Sequence, residues 1–204
     1  MSEMDVRVLF VACVLPVMVL GFQDGAGAQA CLNLIPVHDG TTANTTQAPY
    51  SITVNATSIK QGTTVTVTLN ATAADGYFKG FLVQARCTKC TTADTAIVPG
   101  TFAKYTASDD TIKTKTCAGA EKNSMTHTSR SMKTSAVFTW TAPSNFDVSQ
   151  GVKFRATIVK DKPIWWTNVA SQEISITGTN SAPHVAPVVA VVMAFSILGS
   201  SLLA

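Results

Sequence analysis

Short runs in which apolar and polar residues alternate recur along the middle of this chain and restrict the folds open to it. In TTVTVTL (residues 63–69), Val65, Val67 and Leu69 fall on one side of an extended strand, and the threonines fall on the other. The run VKFRATIV (residues 152–159) repeats this pattern. Both runs are rich in β-branched residues, which favour strands. The alternation predicts strands with one buried and one exposed face.

Further runs and turn signals extend this prediction to the whole middle of the chain. The runs are YSITVNAT, SAVFTWTAP and QEISIT, and turns are expected at KQG, ADG, APSN and SQG. We find no amphipathic helix of useful length between residues 31 and 178. About seven to nine half-buried strands predict an all-β domain, an antiparallel sandwich. The less regular interval 91–125 is expected to be a long connection carrying one or two strands.

Much of the 46% hydrophobic content lies at the two ends of the chain. Near the amino terminus, the uncharged run VLFVACVLPVMVLGF is followed by small residues, as in a secretory signal peptide. We assign residues 1–30 to this signal, with cleavage after Ala30 or, alternatively, after Ala26 or Ala28. Acidic side chains outnumber basic ones before the apolar run, so an uncleaved membrane anchor is the alternative.

The carboxyl-terminal segment, residues 179–204, predicts attachment to a membrane. Its last twenty residues, VAPVVAVVMAFSILGSSLLA, would just span the ~30 Å hydrocarbon core as a helix. They contain no Lys or Arg and follow several small residues, which favours a removable signal for a GPI anchor, with Asn180 as the candidate attachment residue. A single transmembrane helix is the alternative. Either form places the protein at the outer cell surface; without anchoring it would be secreted.

The region between the two ends, residues 31–178, agrees with a secretory route. Sequons for N-glycosylation occur at Asn44, Asn55 and Asn70. Basic residues outnumber acidic ones there, but they are spread too widely to indicate a nucleic-acid partner.

The cysteines predict disulfide bonds. Cys13 lies in the signal segment, which leaves four cysteines in an oxidising compartment, Cys31, Cys87, Cys90 and Cys117. Four cysteines allow three pairings. On a chain-entropy argument, a Cys31–Cys117 bond would contribute about 4–5 kcal/mol, and a Cys87–Cys90 bond only about 2 kcal/mol.

Two other kinds of chemistry are considered for the Cys-x-x-Cys motif in FKGFLVQARCTKC (residues 78–90). A redox-active pair needs a helix amino terminus to lower the thiol pKa, but this motif follows a predicted strand and no helix follows it. A zinc site needs two further ligands; Cys117 and His127 are available, but no second close pair exists. Plain disulfides are therefore the preferred interpretation, and the segment is interpreted as scaffold.

Several short stretches, in one order, resemble the reeler (reelin-type) domain. They are ACLNLIPVH, APYSITV, TVTVTL, FKGFLVQAR, GTF, the Cys117 position, MTHTS, VFTWTAP and FRATIVKDKPIWWTNVAS. This family includes domains of reelin and F-spondin, ferric-chelate-reductase-like membrane proteins and insect defence proteins. The resemblance implies an immunoglobulin-like β-sandwich with a disulfide between the start of the domain and Cys117. Cys87 and Cys90 lie outside the family pattern, which favours a bond between these two cysteines but does not establish it.

The reductase-like relatives carry heme-binding transmembrane helices after this domain. The chain shows no counterpart of them, so we expect no cofactor and no electron transfer. Nothing in the sequence resembles a catalytic triad, a paired-carboxylate site or a phosphate-cradling glycine loop, so an enzyme is not expected. Adjacent Asp109 and Asp110 are a weak signal for Ca²⁺, and His127 is expected to be structural. No metal site is assigned.

A basic and aromatic surface is the candidate binding site. It comprises Lys153, Arg155, Lys160, Lys162, Trp165 and Trp166. If these side chains converge, they could bind sulfated glycans or anionic microbial lipids. Solvated surface charges and a core position for one of the two tryptophans are the plainer interpretation; Trp140 is expected in the core.

Two functions are therefore expected. The first is a cell-surface recognition or adhesion module that binds glycan or matrix. The alternative is an innate-immune defence protein that binds microbial surface components. The hydrophobic tail favours the first, because a soluble opsonin would not need it. A third possibility, an accessory subunit of a membrane reductase, would need a heme-protein partner.

Overall fold

The computed structural model of the chain describes residues 24–38, 40–90 and 96–178. Most of the assigned signal peptide, Cys13, the hydrophobic tail and Asn180 lie outside these residues, so those assignments stay predictions. Among the helices of the described ranges, none is long and apolar enough to cross a membrane.

The described residues form one short helix and eleven strands. In chain order these are α1 (Ala30–Asn33), β1 (Tyr50–Val54), β2 (Ser58–Lys60), β3 (Thr64–Ala71), β4 (Gly80–Cys87), β5 (Thr101–Lys104), β6 (Ile112–Cys117), β7 (Ala120–His127), β8 (Ser135–Thr141), β9 (Gly151–Asp161), β10 (Ile164–Ala170) and β11 (Ile174–Thr177). The predicted all-β class is confirmed.

The strands make two sheets that pack face to face. The first sheet has the order β1-β3-β8-β5, and the second has the order β2-β11-β9-β4-β7-β6, with β10 also pairing with β9. All pairs are antiparallel except β11 with β2. The predicted alternation holds: Val65, Val67 and Leu69 of β3 are buried, while the threonines between them face solvent at least in part. The sandwich is confirmed.

Aromatic rings fill the space between the sheets. Phe154 of β9 is fully buried and meets Trp140 and Phe102 edge to face, with ring centroids 5.3 and 6.0 Å apart. Phe138 packs against Phe102 at 5.8 Å. Such ring pairs contribute beyond the area that they bury. The prediction that Trp140 lies in the core is confirmed.

The interval 91–125 holds more strand than expected. It contains β5, β6 and most of β7, so the prediction of one or two strands there was wrong. In β7, Ser124 and Thr126 are polar yet buried, because another part of the chain covers the outer face of the second sheet. Asn123 and His127 place polar side chains on the other face as well, so the sequence of β7 shows no amphipathic alternation.

The covering segment is residues 24–38, which we call the strap. It begins at Asp24, whose carboxylate pairs with Lys113 of β6 at 2.5 Å. The Ala26 amide then donates to Thr126 Oγ1 of β7 at 3.0 Å. Leu34 packs with Ala30 and with Leu82 of β4 in a small buried cluster. The Leu34 carbonyl accepts a hydrogen bond from a threonine of β9. The strap therefore crosses the sheet from β6 to β9.

A disulfide fastens the strap. Cys31 is bonded to Cys117 at the end of β6, and Cys87 is bonded to Cys90 just after β4. The pairing that the family resemblance implies is confirmed. The Cys-x-x-Cys motif follows a strand, as predicted, and its two sulfurs are bonded to each other.

The strap also overlaps the assigned signal peptide. The three predicted cleavage positions, Ala26, Ala28 and Ala30, all lie within it. Ala30 is buried against Leu34, so cleavage after Ala30 would remove packed residues but would leave the disulfide of Cys31 intact.

Candidate recognition surfaces

A layer of polar side chains lies buried between the strap and the second sheet. Gln84 of β4 donates through Nε2 to the Cys31 carbonyl and to Ser124 Oγ, both at 3.0 Å. Arg86 donates through Nη2 to the Cys31 carbonyl at 3.1 Å and to the Leu32 carbonyl at 2.8 Å. Buried polar groups are tolerated when they are hydrogen-bonded in this way. These side chains therefore position the strap and are not presented to a ligand.

The two tryptophans of the predicted surface are buried, with exposed fractions of 4% for Trp165 and 7% for Trp166. Their indole N–H groups donate to hydroxyls of the segment that follows the strap, Trp165 to Thr41 at 3.0 Å and Trp166 to Thr46 at 3.4 Å. Trp166 also meets Tyr50 of β1 edge to face at 5.4 Å. The prediction of an exposed aromatic patch was therefore wrong, because neighbouring chain covers both rings.

The four basic residues of the predicted surface do not converge on one site. Lys153 and Arg155 lie on the outer face of β9, opposite Arg86 and Gln84 of β4. Lys160 lies at the other end of the same strand. Seven residues of strand separate Lys153 from Lys160, which corresponds to roughly 23 Å.

A basic cluster forms at the end of the sandwich where β4 begins and β9 ends. Its members are Tyr77, Lys79, Arg130, Lys160 and Asp161, and we call it the end cluster. The Tyr77 hydroxyl donates to Asp161 Oδ2 at 3.1 Å, and Lys79 pairs with Oδ1 of the same carboxylate. Lys160 Nζ lies 5.0 Å from the centroid of the Tyr77 ring, within cation–π range.

Positive charge exceeds negative charge within the end cluster. The hydrogen bond from Lys79 is the main cause that holds the pKa of Asp161 below its usual value; Tyr77 and the charge of Lys160 act in the same direction. The same hydrogen bond is the main cause that raises the pKa of Lys79, whereas the positive charge of Arg130 lowers it. Two lysines thus act on one carboxylate, and Arg130 adds a third positive charge near Lys79. This excess of positive charge makes this end suited to sulfate, phosphate or carboxylate groups.

Sequence reasoning assigned Lys160 to a candidate surface but missed Tyr77 and Arg130. Tyr77 precedes β4 and Arg130 follows β7, so they meet only through the fold. No spacing rule within the sequence links them.

A buried lysine supports the loop that carries Arg130. Lys133 donates through Nζ to the carbonyls of Lys79 at 3.2 Å, Ser129 at 2.9 Å and Ser131 at 2.8 Å. Burial lowers the pKa of Lys133. The ammonium group therefore ties the start of β4 to the loop after β7.

We expect Lys133→Met to lower the free energy of unfolding by about 1–3 kcal/mol, because three carbonyls lose their donor. Urea denaturation followed by circular dichroism measures this. The matched control is Lys60→Met, since Lys60 is exposed on β2. Equal stability of both variants would contradict the supporting role of Lys133.

His127 is a structural residue. The backbone N–H of Phe81 donates to its Nδ1 at 3.1 Å, and the two rings pack with centroids 6.2 Å apart. In the described part of the chain, no group of three or more His, Cys, Asp or Glu side chains is placed to hold a metal ion.

A cleft of 430 Å³ opens between β1 and the segment joining β10 to β11. Apolar side chains such as Ile52, Val54 and Ile174 line it, together with one carboxylate, that of Glu173. Neither histidine nor cysteine is among its lining residues. The cleft could accommodate a small molecule, but its lining lacks a pair of groups for acid–base or nucleophilic chemistry.

Two of the three sequons lie along the first sheet. Asn70 faces outward from β3 between Ser51 and Ser135 on the neighbouring strands. Asn55 follows β1 and is exposed. The third, Asn44, donates its backbone N–H to the Trp165 carbonyl at 2.7 Å and lies beside β10. Glycans at Asn55 and Asn70 would leave the outer face of the second sheet uncovered.

Comparison with known proteins shows a family. The Reeler domain family matches residues 29–182. The "Putative ferric-chelate reductase 1" of Danio rerio is 34% identical over 191 residues, which cover 90% of this chain and 31% of that protein. The "Putative defense protein 3" of Antheraea mylitta is 30% identical over 155 residues, which cover 76% of this chain and 86% of that protein.

The fold agrees with a solved member. The crystal structure of the human F-spondin reeler domain superposes with a TM-score of 0.53 at 21% identity, over 67% of this chain and 95% of that chain. The chain spans less than a third of the reductase-like relative's length and most of the defence protein's length. The match over most of its length, together with the two-sheet fold, shows that the chain belongs to the Reeler domain family.

Proposed function

We propose that this chain is a non-enzymatic extracellular recognition module whose end cluster binds sulfated glycans of the cell surface or matrix. The observation that carries this proposal is the grouping of Lys79 and Lys160 around Tyr77 and Asp161, with the charge of Arg130 acting on Lys79. Sulfate groups repeat along such glycans, so several cations at one end of a domain can be engaged at once.

Heparin affinity tests the proposal. Replacing Arg130 and Lys160 together by glutamate is expected to weaken heparin binding about tenfold or more, because two attractive contacts become repulsive. The readout is the NaCl concentration that elutes the protein from a heparin column, with the dissociation constant measured at low salt. The matched control is Lys60→Glu with Lys122→Glu, which changes the net charge equally on exposed positions of β2 and β7. An equal loss of heparin affinity in both variants would show that net charge alone explains the effect, and would contradict the proposal.

Replacing Asp161, the acidic residue of the end cluster, is expected to strengthen heparin binding. Asp161→Asn removes the only carboxylate of the end cluster and should raise the salt concentration needed for elution. Because the pKa of Asp161 is lowered from 3.8, the carboxylate stays charged down to below that pH, so wild-type affinity should be constant between about pH 5 and pH 8 and rise only in stronger acid. Weaker heparin binding by Asp161→Asn would contradict the assignment.

A second candidate function is recognition of microbial surface components. The similarity to the Antheraea mylitta defence protein supports it, since that relative matches over 86% of its own length. Direct binding of the purified protein to killed bacteria, with no retention on heparin, would favour this function over the first.

We also propose that the carboxyl-terminal tail attaches the domain to the outer cell surface through a GPI anchor at Asn180. Release of the protein from intact cells by a phosphatidylinositol-specific phospholipase would support the anchor. Retention of accessible protein would favour a spanning helix, and free protein in the medium of untreated cells would remove the anchor and favour the defence function.

A further inference from the structure

The strap exposes aliphatic side chains on the side that faces away from the sheet. The exposed fractions are 61% for Leu32, 48% for Ile35 and 54% for Val37. Exposed aliphatic residues are ordinary when they occur singly, but here three occur within six residues, with the exposed Asn33 between the first two. We call these three side chains the apolar strip. The buried strap residues Ala30 and Leu34 already serve the packing against the sheet, so the exposed ones need another explanation.

Basic side chains flank both ends of this strip. At its start, the Leu32 carbonyl accepts from Arg86, and Lys153 lies directly opposite Arg86 on β9. At its end, burial and the positive charge of Lys162 lower the pKa of His38, the residue after Val37, so Lys162 lies near this end of the strip. No acidic residue occurs in the strap after Asp24.

The β9–β10 turn extends the strip. The rings of His38 and Trp165 meet edge to face with centroids 6.2 Å apart, and Ile164, the residue before Trp165, is 40% exposed. The turn therefore adds one aliphatic side chain and the cation of Lys162 to the same part of the surface.

We propose that this strap surface, made of Leu32, Ile35, Val37, Ile164, Lys153 and Lys162, docks onto a lipid bilayer that contains anionic headgroups. Aliphatic side chains reach the boundary between headgroups and acyl chains, while the lysines remain at the level of the phosphates. The positive charges of Lys153 and Lys162 beside the apolar strip are complementary to the negative charges of the headgroups.

The way in which the strap is held favours this role. The Cys31–Cys117 bond and the hydrogen bonds from Gln84 and Arg86 fix its backbone before any ligand arrives. Docking then requires little ordering of the chain, so less of the binding free energy is lost. The surface shares no residue with the end cluster, although the two adjoin at the β9–β10 turn, where Lys162 follows Asp161. Its ligand needs no glycan.

Vesicle co-sedimentation of the full-length protein tests the proposal. The probe is a phosphatidylcholine–phosphatidylserine vesicle (70:30), and pure phosphatidylcholine vesicles report binding by the hydrophobic tail. We expect at least about tenfold stronger partitioning onto the anionic vesicles, and about a fivefold loss of this preference for each of Lys153→Ala and Lys162→Ala.

The aliphatic strip is tested by Leu32→Ser, Ile35→Ser and Val37→Ser combined. This variant should lose about tenfold or more of the anionic-vesicle binding. Its matched control is Met132→Ser with Val148→Ser, which removes exposed aliphatic side chains elsewhere, and which should change binding less than twofold. Thermal unfolding checks that both variants fold, which is expected because the replaced side chains are exposed.

Three outcomes would overturn the proposal: unchanged vesicle binding by the strap variant, equal loss in the control, or a dimer in solution that the strap variant dissociates, which would make a second copy the occupant. Heparin elution separates this proposal from the proposed function. The strap variant should elute at the wild-type salt concentration. If the wild-type protein binds the anionic vesicles but not heparin, that result would count against the end cluster alone.

Discussion

Replacing Cys31 and Cys117 together by serine is expected to lower the free energy of unfolding by about 4–5 kcal/mol. The bond closes a loop of 86 residues, and on the chain-entropy model a loop of that length restricts the unfolded chain strongly. Since domains are stable by only about 5–15 kcal/mol, this loss approaches the whole stability. Chemical denaturation under non-reducing conditions measures it.

The matched control is the paired replacement of Cys87 and Cys90 by serine. Their bond spans a sequence separation of only 3, so the expected cost is about 2 kcal/mol. If the Cys31 and Cys117 variant does not accumulate as folded protein, hydrogen exchange of the reduced wild-type chain provides the second measurement. The amides of Ala26 and Leu34 should then lose protection before those of β4. Equal costs for the two pairs would contradict the assignment of the strap bond as the main covalent constraint.

Trp140→Ala should cost about 3–5 kcal/mol, the second largest effect that we expect. Trp140 is fully buried, meets Phe154 edge to face, and lies so close to Gly100 that a Cβ atom placed there would be 2.3 Å from the indole ring. Truncation to alanine therefore leaves a large cavity between the two sheets. Urea titration with circular dichroism measures the loss.

Trp140→Phe is the control for Trp140→Ala, because it keeps an aromatic ring in the core. Within the described residues the indole N–H of Trp140 meets no acceptor, so phenylalanine removes no hydrogen bond and even relieves a buried polar group. We expect a cost of only about 1–2 kcal/mol. A phenylalanine variant as unstable as the alanine variant would mean that the shape of the indole, and not the volume it fills, stabilises the core.

The fold was predictable where strands have one buried and one exposed face. In β9, Val152, Phe154, Ala156 and Ile158 are all buried, as their alternation predicted. The prediction fails for β7, because both of its faces carry polar residues. Ser124 and Thr126 lie on the face under the strap, and Asn123 and His127 lie on the other. Coverage by a distant segment is a tertiary effect that local periodicity does not contain.

The candidate site was less predictable for the same physical reason. The burial of Trp165 depends on His38 and Thr41, which come from the other end of the domain. The end cluster brings Arg130 near Lys79, although four strands, β4 to β7, lie between them in the sequence. Residues that are neighbours in the sequence predicted a basic and aromatic surface. The tertiary structure determines which of these side chains contact each other and which are exposed to solvent.

Between Cys31 and Leu34, the hydrogen bonds that hold the strap to the sheet are accepted by its backbone carbonyls, which every amino acid carries. The carbonyls of Cys31, Leu32 and Leu34 accept hydrogen bonds from the sheet, and the disulfide supplies the covalent tie. Substitutions at Ile35 or Val37 would leave these attachments unchanged. Related chains could therefore exchange the outward residues freely and acquire different binding preferences on an unaltered backbone, and the same positions suit the grafting of short foreign epitopes.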